Sequence, residues 1–193
     1  MPVTLRHTLP GCSFALWRID EDTARLAPLC TGQENAWAGT LAPERRRREW
    51  LAWHAALHEE APAEETFYRP SGAPALRSGR HIAVSHAGGY AALMLCDVPC
   101  GLDIEFTKTE ERFLAPDERK LLESAGGLSA GIVWCAKEAL YKWSGLGGLD
   151  WLRDIRVTKI DPVRETLEGT AGGKRIGLKV IPHPELHIVF CAG

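Results

Sequence analysis

Between residues 101 and 143 the hydrophobic period of the chain switches from two to about 3.6, and acidic residues ride on both patterns. In Gly101-Leu102-Asp103-Ile104-Glu105 apolar and acidic side chains alternate, the mark of a strand. Asp103 and Glu105 therefore share one face, with Leu102 and Ile104 on the other. Thirty residues on, Trp134-Cys135-Ala136-Lys137-Glu138-Ala139-Leu140-Tyr141-Lys142 reads as a helix. Glu138 and Lys142 are four apart and share a face, flanked by Trp134 and Tyr141. Ile132, Val133, Ala136, Ala139, Leu140 and Trp143 make the opposite, buried side. Three carboxylates and a lysine on two rigid elements can hold a divalent cation against a phosphate and move a proton nearby. Asp103, Glu105 and Glu138 form an all-oxygen set that suits Mg²⁺, which takes its other ligands from water and phosphate. Taken singly, Glu138 and Lys142 read equally well as a surface ion pair, and the alternation as a solvated strand face.

Around this pair the chain reads as strands separated by clustered helices, which indicates α+β. Strands are expected at 12–19, 81–85, 90–96, 101–106, 155–160, 165–168, 177–181 and 186–191. Helices are expected at 43–58, opened by Pro43, at 116–125, and at 129–143, capped by Ser129 and stopped by Gly145. Residues 59–80 read mostly as loop. Leu41-Ala42-Pro43-Glu44-Arg45-Arg46 resembles Leu114-Ala115-Pro116-Asp117-Glu118-Arg119, and each opens a helix after a strand. This suggests two similar α+β halves, 1–97 and 98–193.

Length and composition narrow the function. A chain of 193 residues with 45% apolar content can build a real core. A net charge of −2 argues against a general nucleic-acid binder. Residues 1–11 hold no apolar signal-peptide core, and no run reaches the roughly eighteen apolar residues of a membrane span. The expectation is a cytoplasmic monomer whose six cysteines are reduced and mostly buried. His54/His58 and His183/His187 have metal-like spacing but lack a completing ligand, so both read as structural. Ser85-His86, before a Gly-Gly turn, could receive a phosphate. Arg45 to Arg48 open a helix against its dipole, which favours an anion nearby.

These pieces together resemble the 4′-phosphopantetheinyl transferase superfamily. The residues that carry the resemblance are Ser85-His86, Gly101-Leu102-Asp103-Ile104-Glu105, Phe113-Leu114-x3-Glu118 and Trp134-x2-Lys137-Glu138-Ala139-x2-Lys142. Length and duplication are similar to the pseudo-dimeric, surfactin-synthetase-activating type, with halves related by a pseudo-twofold axis and the active site in the cleft between them. The resemblance implies transfer of phosphopantetheine from coenzyme A to a serine of an acyl- or peptidyl-carrier protein. It implies Mg²⁺ held by Asp103, Glu105 and Glu138, with Glu138 or a metal-bound water taking the serine proton. Lys142 would neutralise the leaving phosphate, and Glu118 would support the catalytic group. Ser85, His86, Arg45 and Arg48 would hold the CoA 3′-phosphate in the first half. Relatives commonly carry lysine at the position of Ala73 and arginine at that of His54, so Arg45–Arg48, Arg69 and Arg77 are the candidates to replace that charge. Lys108, Arg112, Phe113, Leu114, Arg119, Lys120 and Leu121 are the candidate docking surface for an acidic carrier. A non-catalytic CoA- or carrier-binding module is the alternative, and a Mg²⁺-dependent phosphohydrolase a third reading.

Overall fold

The computed structural model describes residues 3–106, 113–126 and 128–193. The chain divides into two compact units, Met1–Asp97 and Val98–Gly193. Helices and wholly antiparallel sheets make the protein α+β.

The first unit opens with a hairpin of β1 (Val3–Leu9) and β2 (Cys12–Arg18). Helices α1 (Thr23–Leu26), α2 (Gly32–Thr40) and α3 (Glu44–Glu60) follow, then the short strands β3 (Thr66–Tyr68) and β4 (Pro74–Leu76). Strands β5 (His81–Ala87) and β6 (Tyr90–Cys96) close the unit. The main sheet runs β1-β2-β6-β5, and β3 pairs only with β4. The core forms where Leu51, Ala52, Ala55 and Leu57 of α3 meet Trp17 and the Ala91, Leu93 and Leu95 face of β6. Each buried leucine here contributes about 1.5–3 kcal/mol.

Five elements of this unit, β1, α1, α2, β3 and β4, were not expected. β1 is polar and largely exposed, so no alternation marks it. α2 carries two glycines and little amphipathic pattern, and its start is set by a capping box. There the Thr31 hydroxyl accepts the Glu34 N–H, and the Glu34 carboxylate accepts the Thr31 N–H. β3 and β4 fall in the stretch read as loop. The cysteine expectation also needs correction. The β2–β6 register sets Cys12 opposite Cys96, with Cα atoms 4.2 Å apart, and the two form a disulfide. Cys30, Cys100, Cys135 and Cys191 are free thiols.

The second unit begins with β7 (Cys100–Phe106), then α4 (Pro116–Ser124) and α5 (Ala130–Ser144). Four strands follow: β8 (Ile155–Asp161), β9 (Thr166–Ala171), β10 (Lys174–Val180) and β11 (Leu186–Ala192). The sheet order is β7-β11-β10-β9-β8. α5 starts where the Ser129 hydroxyl accepts the Gly131 N–H and ends at Gly145, in the left-handed region at φ 63°. Val133, Cys135, Ala136, Ala139 and Leu140 press this helix onto Ile155, Val157, Leu167, Leu178 and Val189 of the sheet.

One contact sets the distance between helix and sheet. A Cβ on Gly101 would lie 1.9 Å from the Ala139 carbonyl oxygen and 2.8 Å from the Trp143 nitrogen. Only glycine lets the backbones of β7 and α5 come this close. By the alternation of the strand, Asp103 and Glu105 lie on the same helix-facing side as Gly101. Leu102 and Ile104 are buried on the other face.

Candidate active site

The Gly101 contact brings the two sequence motifs to one place. Asp103 lies in the middle of β7 and is nearly buried. The Lys142 ammonium, from the last turn of α5, donates to Asp103 Oδ1 at 2.7 Å and to the Leu102 carbonyl at 3.0 Å. The Cys135 thiol, two turns earlier on the same side of α5, donates to the Asp103 carbonyl at 3.1 Å. Two points of α5, two turns apart, are thereby tied to the strand that carries the carboxylates. Cys135 escaped the sequence reading, because a buried cysteine looks like any small apolar residue.

Glu138 sits one turn before Lys142. Burial pushes its carboxyl above the usual carboxylate range; Lys142 opposes this, while the negative charges of Asp103 and Glu105 add to it. The three carboxylates therefore share one electrostatic neighbourhood, and Lys142 is the nearby cation. Glu105 Oε1 accepts the Phe106 N–H at 2.9 Å. Among the described residues no group of three or more His, Cys, Asp or Glu side chains is gathered as a metal-holding set. The donor chemistry is that of a hard cation, and the negative charge crowding Glu138 is what such a cation would relieve. In this structure Lys142 answers the charge of Asp103 instead.

The helix stripe expected to face solvent is roofed by aromatic rings. Trp134 stacks on Phe113 at 4.5 Å and meets Trp151 at 5.0 Å, and Tyr141 meets Trp151 at 5.2 Å. Beneath lies Lys137, wholly buried, donating to the Phe113 and Trp151 carbonyls at 2.8 and 2.7 Å. Its ammonium also pairs with Glu118 Oε2 at 2.7 Å. Burial lowers the Lys137 ammonium below its usual range, against the pull of Glu118.

Glu118 has a different place from the one expected of a catalytic group. It too is wholly buried. Oε2 accepts the Ala115 N–H and Oε1 the Val157 N–H, at 2.8 and 2.9 Å. Both of its carboxylate oxygens are thus engaged within the protein. It joins the start of α4, the middle of α5 and strand β8.

Residues 99–190 match the family model of the 4′-phosphopantetheinyl transferase superfamily. These residues form a 4′-phosphopantetheinyl transferase superfamily domain. No curated protein matches the chain. The matched segment contains β7 and α5, so the transferase domain includes all three carboxylates, Lys137 and Lys142.

The residues expected to hold CoA belong to the first unit, outside the matched segment. Ser85 is buried and His86 half-exposed, as neighbours on one strand must point to opposite faces. His86 Nδ1 lies 3.4 Å from Glu49 Oε2, and Arg45 Nη1 lies 3.2 Å from Glu49 Oε1. A buried carboxylate thus stands between two groups expected to meet a phosphate. Arg48 is engaged within its own unit. Its guanidinium donates to the Ile19 and Glu21 carbonyls, both at 2.7 Å, and staples β2 and the α1 approach to α3. Arg47 donates to the Leu41 carbonyl at 2.6 Å. Carbonyl oxygens and Glu49 answer these arginines, so the unfavourable helix start does not require an external anion. Arg77 pairs with Glu65 at 3.3 Å.

The docking expectation also changes. Leu114 is buried in the core and Phe113 is held by Trp134, which leaves Arg119, Lys120 and the half-buried Leu121. Lys108 and Arg112 lie outside the described residues. His183 Nδ1 accepts two backbone N–H groups of its own turn, in keeping with a structural role. Among the described residues no helix is long and apolar enough to cross a membrane.

Proposed function

We propose that the protein transfers 4′-phosphopantetheine from coenzyme A to a serine hydroxyl of an acyl- or peptidyl-carrier protein. The serine oxygen forms a bond to the β-phosphorus, the pyrophosphate P–O bond breaks, and adenosine 3′,5′-bisphosphate leaves. The observation that carries this reading is the approach of Lys142 and Glu138 to Asp103 within the transferase domain.

Asp103, Glu105 and Glu138 are the residues that would hold Mg²⁺, which when bound supplies Lewis acidity and charge for the pyrophosphate. Glu138, whose ionised carboxylate is made more basic by burial, accepts the serine proton. Lys142 exchanges its contact with Asp103 for the departing phosphate, where charge builds up. The aromatic roof of Trp134, Tyr141 and Trp151 keeps the lower helix face dry and the lysine stem in place. Exposed Arg119 and Lys120 suit the acidic surface of a carrier protein.

A second reading has its own support. Lys142 occupies Asp103, and among the described residues no metal-holding set is assembled. A non-catalytic module that binds CoA or a carrier would keep such an arrangement. Mass spectrometry separates the two. Incubation with CoA, Mg²⁺ and apo carrier proteins should add one phosphopantetheine to a carrier, and Asp103→Ala should abolish the gain. CoA binding with no gain on any carrier would favour the binding module. Cleavage of CoA without a carrier would point to hydrolysis.

A further inference from the structure

One unexplained feature lies within the first unit, outside the matched segment 99–190. Helices α2 and α3 and the β3 hairpin enclose a cavity of about 740 Å³, within the range of small-molecule sites. Its wall is three near-parallel rings. Trp37 and Tyr68 are inclined by 8° with centroids 6.3 Å apart, and both stack on Trp50 at 5.9 and 5.3 Å. Trp37 is 54% exposed and Tyr68 39%, unusual for rings of this size.

Two acceptors in the polar lining, His54 Nε2 and Glu64 Oε2, are buried without donors, as is one donor, Trp50 Nε1, without an acceptor; Arg77 of the same lining is paired with Glu65. His54 is wholly buried, and its Nδ1 lies 2.8 Å from the Trp50 carbonyl. A carbonyl can only accept, so Nδ1 carries the proton and Nε2 is a bare acceptor. Nε2 has no hydrogen-bond partner. The nearest carboxylate oxygen, Glu34 Oε1, is itself an acceptor and stands 3.8 Å away. The other oxygen of Glu34 already accepts from His58 at 2.8 Å and from the Thr31 N–H. Glu64 lines the same cavity with Oε2 buried and unpartnered, while Ser78 satisfies Oε1. Buried polar atoms are rarely left without partners, so acceptors that converge on one space imply that donors enter it.

We propose that this cavity binds a small organic ammonium ion. Its N–H donors would bridge Glu34 Oε1, His54 Nε2 and Glu64 Oε2, and its apolar body would lie against Trp37, Trp50 and Tyr68. Aromatic faces attract cations through the ring quadrupole, which adds to the carboxylate charge. The cavity includes His54 and Arg77, positions the family resemblance connects with CoA charge, but its unpartnered acceptors are groups that an anionic substrate would not satisfy.

The test is titration of the full chain with 2-phenylethylammonium, followed by tryptophan fluorescence and calorimetry. Its neutral isostere 2-phenylethanol and the anion 3-phenylpropionate are the comparisons. The ammonium should bind saturably, the alcohol about tenfold more weakly or worse, and the carboxylate not at all. Glu64→Gln should weaken ammonium binding by about tenfold. Trp37→Ala, on an exposed ring, should weaken it without unfolding the chain and covers the case in which the Glu64 variant does not fold. Absence of ammonium binding, equal binding of the alcohol or carboxylate, or unchanged affinity in Trp37→Ala would each overturn the proposal.

Discussion

Glu118 and Glu138 stand twenty residues apart in one unit, and their surroundings give them opposite duties. Glu138 lies in the electrostatic neighbourhood of Asp103, Glu105 and Lys142, whereas Glu118 is enclosed with Lys137 and two backbone N–H groups. Removing one partner of a buried ion pair leaves an uncompensated charge and costs about 3–5 kcal/mol. Glu118→Ala should therefore lower stability by that order, measured by urea denaturation, while activity per folded molecule is retained. Wild-type stability with lost activity would restore Glu118 to the catalytic set. His54 makes a second residue-scale case. Burial holds its imidazole down at about 4, although Trp50 and Glu34 pull the other way. The unfolded chain protonates this group near 6.5. Between those values the unfolded state binds more protons, so stability is full above pH 6.5 and falls as the pH drops through the window. The loss by pH 4 is on the order of 2–3 kcal/mol. His54→Gln should reduce the difference between urea midpoints at pH 7 and pH 4.5; an undiminished difference would assign it to Glu34 or His58, which face His54.

At the scale of elements, the site depends on how closely α5 lies on β7. Gly101→Ala would drive a methyl group into the Ala139 carbonyl. The helix must lift, at a cost of about 3 kcal/mol or more, and Lys142 loses its reach to Asp103. A thermal melt close to wild type would show that the helix can yield there. The two motif faces were legible in the sequence because the period-two and 3.6-residue patterns place Asp103 with Glu105 and Glu138 with Lys142. The aromatic roof was not, since Trp134 looks solvent-facing until Phe113 and Trp151, from other parts of the chain, cover it. Helix α2 was hidden because its start rests on Thr31 and Glu34 rather than on an apolar stripe. The arginines of α3 were read as seeking an anion, but backbone carbonyls from residues up to 29 positions away satisfy Arg48. Such partners are set by tertiary proximity, which spacing along the chain does not encode.

At the scale of the whole molecule, the two units differ in how they are held. The first has a covalent tie between β2 and β6, with 84 residues of sequence separation, while the cysteines of the second are free. Closing a loop of that length stabilises by about 4 kcal/mol in the chain-entropy model. Reduction should therefore weaken β1, β2, β5 and β6 and leave β7 to β11 unchanged, read by amide hydrogen exchange with and without reductant. Equal loss of protection in both units, or none in either, would remove the disulfide as the source of the difference. The same bond has a mechanical consequence. A chain pulled by its ends would carry force from Cys12 straight to Cys96, and the span between them would bear no load. Roughly 280 Å of contour would stay hidden from the pull, and a reducing agent would release it in a single lengthening step.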